Sequence, residues 1–509
     1  MAADIGASIA RRLVHGTGWL MIWRVISRSL GFVSMLILAH LLMPADFGLV
    51  ALATAVSASV DAVSQLGVRD ALIRLHDDRR DYYDTAFTFQ LARGLLTALL
   101  LVILSGFSQE VFGDKRLPGV LIPLAAFTVV TACENVGTVS LHRTLNFRVL
   151  ALMQVAPRLF GFAVTTTLAF MLRDYRALVW GMGAGRVAGM IATYIVAPYR
   201  PRFGLAGWRY LLHFSFWTWA GGLATMVWSR ADAYLLGPAL GSAMLGIYLL
   251  GAEIAMLPLS ELLEPACTTL FPGFALARRS GSEPVSMGLM VAGVLALCTI
   301  PVGIGVSACS GYLVAALLGP NWESTRPVIA ILTWVCMFSP FSFVCSTLLS
   351  AHGQVWRVFA SNAAAAILKV VVVLMVRQTH DLTAISLAGV AVVAAESAIF
   401  IFQLRAASEG KLPDIRGTAL RAVVSTAATC AAIRLLPGTW DEVTLGRYGA
   451  LVVGAGIGLL TIAVFGVCQL MLWRMARCPA GIEMRLIELI RDIVRPGAWL
   501  KTIRANVRA

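Results

Sequence analysis

Residues Leu42–Ala53 read LMPADFGLVALA, and residues Leu240–Gly251 read LGSAMLGIYLLG. Gly48 in the first stretch aligns with Gly246 in the second, at an offset of 198 residues. Six long apolar segments separate the two copies, so both copies enter a membrane from the same side. The repeat therefore predicts two six-helix lobes that are related by an axis along the membrane normal.

The composition around these stretches is that of a membrane protein. Hydrophobic residues make up 59% of the 509-residue chain and charged residues only 13%, whereas soluble proteins are about 45–50% apolar and about 25% charged. A soluble chain of this length would divide into several domains, each with a polar surface. That surface is missing here, so lipid is expected to cover the outside of the molecule.

Fourteen apolar segments are long enough to cross a membrane, since about 20 apolar residues span the hydrocarbon core. They are 16–43, 46–67, 85–107, 118–141, 149–172, 177–197, 210–236, 240–263, 287–308, 327–350, 358–375, 382–404, 419–436 and 448–473. Irregular backbone cannot face lipid, so each segment is predicted to be a helix. The predicted fold is an all-α polytopic membrane protein of about fourteen transmembrane helices. Its predicted parts are an N-terminal lobe at 1–206, a C-terminal lobe at 207–410, two extra helices at 411–474 and a basic amphipathic cytoplasmic tail at 475–509.

The net charge of +14 is distributed unevenly across the predicted membrane. Of the 41 Lys and Arg residues, 26 fall on one side, 8 on the other and 7 inside apolar segments, when Arg421 and Arg434 at the ends of the segment 419–436 are counted with the adjoining loops. Basic loops stay in the cytoplasm, so both termini are predicted to be cytoplasmic. The asymmetry accounts for the charge without a nucleic-acid partner. The segment Gly481–Ala509 is interpreted as an amphipathic helix on the inner membrane surface, with a plain soluble tail as the alternative.

A polar stripe runs along the first apolar segment. At about 100° per residue, six residues fall in one sector of the helix: Thr17, Arg24, Ser27, Arg28, Gly31 and Ser34. Charges inside membrane helices are rare and mark functional sites, so this helix is predicted to line a water-filled cavity. Alternatively, the arginines pair with a carboxylate such as Asp61 or reach the inner interface.

Arginine outnumbers carboxylates among the intramembrane charges of the first lobe, which favours an anionic cargo. The planar guanidinium fits phosphate bidentately, whereas an exporter of cationic drugs would favour buried carboxylates. The predicted substrate-binding residues are Arg24, Arg28, Arg158 and Arg230. The candidates for a proton or cation site are Glu134, Glu253 and Asp61. Each of these carboxylates has an alternative role as the salt-bridge partner of a nearby arginine.

Catalytic and metal-binding motifs are not apparent in the sequence. There is no HExxH, G-x-S-x-G or P-loop, and none of the nine cysteines forms a C-x-x-C pair. Neither a metal nor another cofactor is expected, and the chain is predicted not to be an enzyme. The best enzymatic alternative is a membrane sugar polymerase or ligase. Such enzymes have a long extracytoplasmic loop, and the loops here are short for that purpose.

Closely spaced glycines mark the sixth apolar segment. Gly181, Gly185 and Gly189 form two overlapping G-x-x-x-G motifs. No strand precedes them, so a dinucleotide fingerprint is not indicated. Small residues at this spacing let two membrane helices approach closely. The motif therefore predicts close packing of the sixth helix against a neighbour.

Several longer motifs resemble a known family. They are LAHLLMPADFGLVALA at Leu38–Ala53, ADAYLLGPALGSAMLGIY at Ala231–Tyr248, TLFPGFA at Thr269–Ala275 and LGPNWESTRPVIAIL at Leu318–Leu332. With them the chain resembles the polysaccharide transporter (Wzx-type) branch of the multidrug/oligosaccharidyl-lipid/polysaccharide flippase superfamily, and among its members the colanic-acid and succinoglycan exporters. The sequence departs from many relatives at His40, where they carry arginine.

The resemblance implies a transport function. Such proteins flip oligosaccharide units linked to undecaprenyl diphosphate across the bacterial inner membrane, by alternating access of two lobes. It also implies lipid-linked oligosaccharide and membrane lipids as partners, together with polysaccharide polymerase and co-polymerase proteins. Two alternatives remain: a cation-coupled multidrug exporter of the same superfamily, and a membrane scaffold for polysaccharide assembly.

Overall fold

The computed structural model describes residues 26–64, 72, 80–143, 147–206, 216–279, 284–407, 416–435, 446–477 and 482–487. Helices are the regular secondary structure of these residues, and no strand occurs among them. The described residues divide into two compact units, and the division falls between Gly246 and Ile247.

Unit 1 contains the first seven long helices of the described residues and the start of the eighth. Its helices are α1 (Ile26–Leu41), α2 (Pro44–Ser64), α3 (Arg80–Phe112), α4 (Pro118–Ala132), α5 (Phe147–Leu172), α6 (Arg176–Val196), α7 (216–240) and the start of α8 (242–279). The chain bends between α7 and α8 at Gly241, whose φ of 77° suits glycine. Tyr234 of α7 donates a hydrogen bond to the Ala55 carbonyl of α2 at 2.9 Å. Contacts of this kind explain why α7 belongs to unit 1, while the lobe boundary at 206/207 stays a prediction.

Unit 2 contains the rest of α8 and seven further α-helices of seven residues or more among the described residues. They are α9 (Pro284–Ala308), α10 (Arg326–Leu332), α11 (Ser339–Ala351), α12 (Val355–Val376), α13 (Leu382–Ala407), α14 (Arg416–Arg434) and α15 (Gly446–Met475). The span predicted at 327–350 is bent by 43°, because α10 and α11 are joined through a short 3₁₀ segment at Thr333–Met337.

The helices have the length and surface of membrane spans. Within the described residues, nine helices are long and apolar enough to cross a membrane, or ten if the bent α10–α11 pair is one span. The outward face of α3 exposes large apolar side chains, among them Leu95, Leu99 and Ile103. Such a face belongs in lipid. The count of fourteen spans stays a prediction.

The fourth span differs from its prediction because its helix is broken. α4 ends at Ala132, and the chain resumes through a 3₁₀ turn at Val136–Thr138 and a short helix at Val139–Arg143. The carbonyls released at the break are satisfied by side chains of neighbouring helices. Gln90 of α3 donates to the Ala132 and Glu134 carbonyls, each at 3.1 Å. Tyr194 of α6 donates to the Cys133 carbonyl at 2.9 Å. Two neighbouring helices thus supply partners for three carbonyls at the break, as non-helical backbone at membrane depth requires.

The described part of the tail packs on unit 2. Ile482 is buried against α9, where it contacts Gly293. Glu483 is 3% exposed and accepts a hydrogen bond from Arg421 of α14 at 2.7 Å. The first described side chains of the tail, Ile482 and Glu483, therefore pack against helices of unit 2. The amphipathic helix predicted for 481–509 lies mostly outside the described residues and stays a prediction.

Candidate functional site

Unit 1 contains an open cavity of about 710 Å³ between α1, α5, α6 and the break that follows α4. Its wall is a mixture of apolar residues, small residues and a few polar groups. The polar side chains that line it are Ser27, Ser34, Glu134, Gln154, Arg158, Thr165 and Arg186. An apolar cavity of this size with a few convergent polar groups has the usual form of a ligand site.

The polar stripe of α1 forms one wall. Ser27, Gly31 and Ser34 line the cavity, which agrees with the predicted role of this helix. Ser27 is 8% exposed, and its hydroxyl has no hydrogen-bond partner in the part of the chain that the structure describes. A buried hydroxyl without a partner is costly, so Ser27 is suited to a bound ligand. Arg24 lies outside the described residues.

Close packing of α5 and α6 forms the opposite wall. A Cβ added to Gly161 would lie 3.3 Å from the Gly185 Cα, and one added to Gly181 would clash with Thr165. The predicted packing role of the G-x-x-x-G motif is therefore confirmed. The two backbones touch at these glycines, and Arg158 and Arg186 on the same helices line the cavity beside them.

Glu134 enters the cavity from the break in the fourth span. Its Oε1 lies 3.8 Å from where a Cβ on Gly189 would stand, one helical turn from Arg186. The charges of Glu134 and Asp61 both act on the Arg186 guanidinium. With two arginines and one carboxylate on its wall, the cavity carries a surplus of positive charge. This charge balance favours an anionic ligand.

The other predicted site residues lie elsewhere. Asp61 forms an ion pair with Arg93 at 3.3 Å, which is the alternative role considered for it from the sequence. Arg28 and Glu253 are exposed, and Arg230 is half-buried on α7. None of these four lines the cavity. Of the seven predicted site residues, the structure thus brings together Arg158 and Glu134.

Arg186 is the cavity residue that the substrate-site prediction left out. Its charge was apparent in the sixth apolar segment, but its partner helix was not. The sequence did contain a usable pattern, because Met182, Gly185, Arg186 and Gly189 recur at helical spacing and share one face. Since Gly185 packs on α5, the residue beside it is placed close to Arg158.

The cavity has the chemistry of a binding site. In the described chain, no group of three or more His, Cys, Asp or Glu residues is placed to hold a metal ion. Two guanidiniums, a hydroxyl and an amide can instead hold the oxygens of an anion through charge-assisted hydrogen bonds. Glu134 adds a carboxylate that can compete for the same guanidiniums or exchange a proton.

Solved structures with the same fold are membrane transporters. The lipid II flippase MurJ, in an inward closed conformation, matches 90% of this chain and 99% of its own, with a TM-score of 0.67 and 13% identity. An inward-facing multidrug resistance MATE family transporter of the MOP superfamily matches 74% of this chain and 94% of its own, with a TM-score of 0.52 and 12% identity. These likenesses confirm the predicted all-α polytopic fold.

Relatives by sequence are named for polysaccharide biosynthesis. The lipopolysaccharide biosynthesis protein WzxC of Escherichia coli (strain K12) is 23% identical over 70% of this chain and 73% of its own. The succinoglycan biosynthesis transport protein ExoT of Rhizobium meliloti (strain 1021) is 24% identical over 64% of this chain and 66% of its own. The family model described as polysaccharide biosynthesis protein matches residues 37–327. Because this match covers more than half of the chain, the protein belongs to the family of polysaccharide biosynthesis proteins.

Proposed function

We propose that this protein flips oligosaccharides linked to undecaprenyl diphosphate from the inner to the outer leaflet of a bacterial cytoplasmic membrane. The observation that carries the proposal is the cavity in unit 1, whose wall has two arginines for one carboxylate. A sugar headgroup cannot cross hydrocarbon unaided, whereas the lipid chain can remain in the bilayer. The chain acts as a transporter and not as an enzyme, and it supplies units to polysaccharide polymerase and co-polymerase proteins.

The diphosphate is the part of the substrate that fits the wall of the cavity. It carries at least two negative charges, which Arg158 and Arg186 match in number. The fork of a guanidinium binds two phosphate oxygens at once. Arg28 does not line this cavity, so the role predicted for Arg24 and Arg28 from their shared helical face stays a separate prediction. Ser27 contributes a hydroxyl that is buried and has no described protein partner.

The site can be tested by reconstituting the purified protein in vesicles that contain a lipid-linked oligosaccharide with a fluorescent sugar. We expect flipping to depend on the protein and to fall by about tenfold to a hundredfold in Arg186→Gln, since a charge-assisted hydrogen bond contributes about 1.5–3 kcal/mol. Arg176→Gln is the matched control, because Arg176 begins the same helix but lies outside the cavity. Equal flipping by both variants would contradict the proposed site.

A drug-cation exporter is the second candidate, and the carboxylate of Glu134 in the cavity is the observation that favours it. The same vesicles can be loaded with cationic dyes. Dye efflux driven by an ion gradient, without flipping of the lipid-linked sugar, would replace the proposed function with this one.

The proposed orientation places both termini in the cytoplasm. Alkaline phosphatase is active only outside the cytoplasm, so a fusion at Ala509 is expected to be inactive and one within residues 319–323 to be active. An active fusion at the C-terminus would contradict this topology.

A further inference from the structure

The two copies of the sequence repeat contact each other in unit 1. A Cβ on Gly48 would clash with the Ser242 carbonyl and stand 2.8 Å from the Gly246 nitrogen. A Cβ on Gly246 would clash with the Pro44 carbonyl and stand 2.8 Å from the Gly48 nitrogen. Since Pro44 aligns with Ser242 in the repeat, these contacts are reciprocal. The turns that begin α2 and α8 therefore pack around a local two-fold axis, with glycine at the closest approach.

Arg116, in the connection between α3 and α4, bridges the two turns. Its guanidinium lies 3.3 Å from an Asp46 carboxylate oxygen at the start of α2. It also lies 3.3 Å from the Ser242 hydroxyl at the start of α8. Asp114, in the same connection, accepts further bonds from it at 3.1 and 3.2 Å. One side chain thus ties both copies of the repeat to a third loop.

The local electrostatics show that Arg116 is held firmly from its own loop. Partial burial opposes ionisation of Asp114, but its hydrogen bonds with Arg116 outweigh burial and hold the pKa of Asp114 below its usual value. Asp46 is 7% exposed and also accepts a hydrogen bond from the Met43 amide at 3.3 Å. The Arg116 side chain itself is 40% exposed. Water can therefore replace its partners when the turns separate.

The two copies of the repeat differ at the position that forms an ion pair with Arg116 in the first copy. Asp46 of the first copy aligns with Met244 of the second. The second copy offers only the neutral hydroxyl of Ser242. The bridge therefore has a strong anchor on α2 and a weaker one on α8, which is the side that would release first.

We propose that Arg116 is a latch that holds the α1–α2 and α7–α8 turns together on the outer side of the membrane, and that it releases Ser242 when the transporter opens outward. This inference rests on the proposed function and on the predicted orientation, which places both turns and Arg116 outside. Gly48 and Gly246 form the packed joint, and Arg116 sets how long the joint stays closed.

The latch can be tested by the access of a thiol reagent that does not cross membranes. A Ser34→Cys reporter, in a chain whose nine native cysteines are replaced, places a thiol on the cavity wall. We expect Arg116→Ala to raise the labelling rate from outside about threefold to tenfold by shifting the population toward the open state. Arg116→Lys should give a smaller rise, since an ammonium cannot bridge several acceptors with a planar fork. Lys115→Ala, at the exposed neighbouring position, is the control and should leave the rate unchanged.

An unchanged or lower rate in Arg116→Ala would overturn the latch. If that variant does not reach the membrane, Ser242→Ala removes the bonds of the second copy to Arg116 and Asp114 and should raise labelling by about twofold. The double variant Arg116→Ala with Asp46→Asn should label no faster than the faster single variant, because Arg116→Ala already removes the ion pair that Asp46→Asn weakens. Additive effects would likewise overturn the proposal.

Orientation and transport are tested separately from the latch. A Lys115→Cys reporter should react from outside in intact cells, and labelling only after permeabilisation would overturn the outward assignment. Thiol access requires no sugar. If Arg116→Ala opens the cavity but the unmodified protein does not flip lipid-linked sugar, the latch stands and the proposed function fails.

Discussion

The cavity wall at α5 and α6 and the joint at α2 and α8 both use glycine, but they use it to different ends. At the cavity, Gly161 and Gly185 bring two helix backbones together over several turns, and charged side chains stand beside the contact. At the joint, Gly48 and Gly246 meet over a single turn, and the polar groups around them are bonded to one another. Glycine packing over several turns holds α5 and α6 rigidly together. The single-turn contact between α2 and α8 is instead a joint that one side chain can hold or release.

The largest expected effect comes from filling the joint. Gly246→Ala places a methyl group against the Pro44 carbonyl, where the backbone must shift to admit it. We expect a loss of about 1–3 kcal/mol of stability and a strong defect in flipping. Thermal unfolding of the purified protein measures the first and the vesicle assay the second. Gly106→Ala on α3 is the control, since its Cβ would meet nothing within 4 Å. Equal behaviour of the two variants would show that the joint does not depend on glycine at position 246.

The next largest effect concerns the two arginines on the cavity wall, Arg158 and Arg186. Arg158→Glu and Arg186→Glu should each reduce flipping more than the corresponding Gln variants, because Glu adds repulsion to the loss of a guanidinium. Lys should restore part of the activity, since it keeps the charge but not the planar fork. Initial flipping rates at equal protein levels provide the measurement. Glu variants that flip normally would show that the cavity does not hold the anion.

Glu134 should have an intermediate and more selective effect. If it couples an ion to transport, Glu134→Gln should abolish the response of flipping to an ion gradient while leaving the protein in the membrane. Flipping in vesicles with and without a proton or sodium gradient separates the two contributions. A gradient response equal to that of the unmodified protein would remove Glu134 as the coupling group.

The smallest effect is expected at Asp61, which lies outside the cavity. Its ion pair with Arg93 is partly exposed, and such pairs contribute about 0–1 kcal/mol. Asp61→Asn should therefore change flipping by less than about threefold. A large loss in the same assay would place Asp61 in the transport machinery and weaken the contrast with Glu134.

The sequence indicated more about the contact between α2 and α8 than about the cavity. The repeat aligned Gly48 with Gly246, and the structure shows why both are glycine, since their backbones approach too closely to admit a Cβ. Arg116 could not be identified this way, since the residues it bridges are 70 and 126 positions away. Likewise, Glu134 was recognisable as a charge in an apolar segment. The helix break that presents it depends on Gln90 and Tyr194, which come from other helices.

The central claim, that the cavity of unit 1 receives the lipid-linked sugar, can be tested by photocrosslinking from α5. A photoreactive phenylalanine derivative at Phe162 would stand on the cavity wall, and one at Phe170, on the same helix, would stand on the exposed surface. With substrate radiolabelled in its sugar, we expect label to attach to the protein at Phe162 and not at Phe170, and the Arg186→Glu variant to lose it. Equal labelling at both positions, or none at Phe162 in a protein that flips the substrate, would contradict the claim.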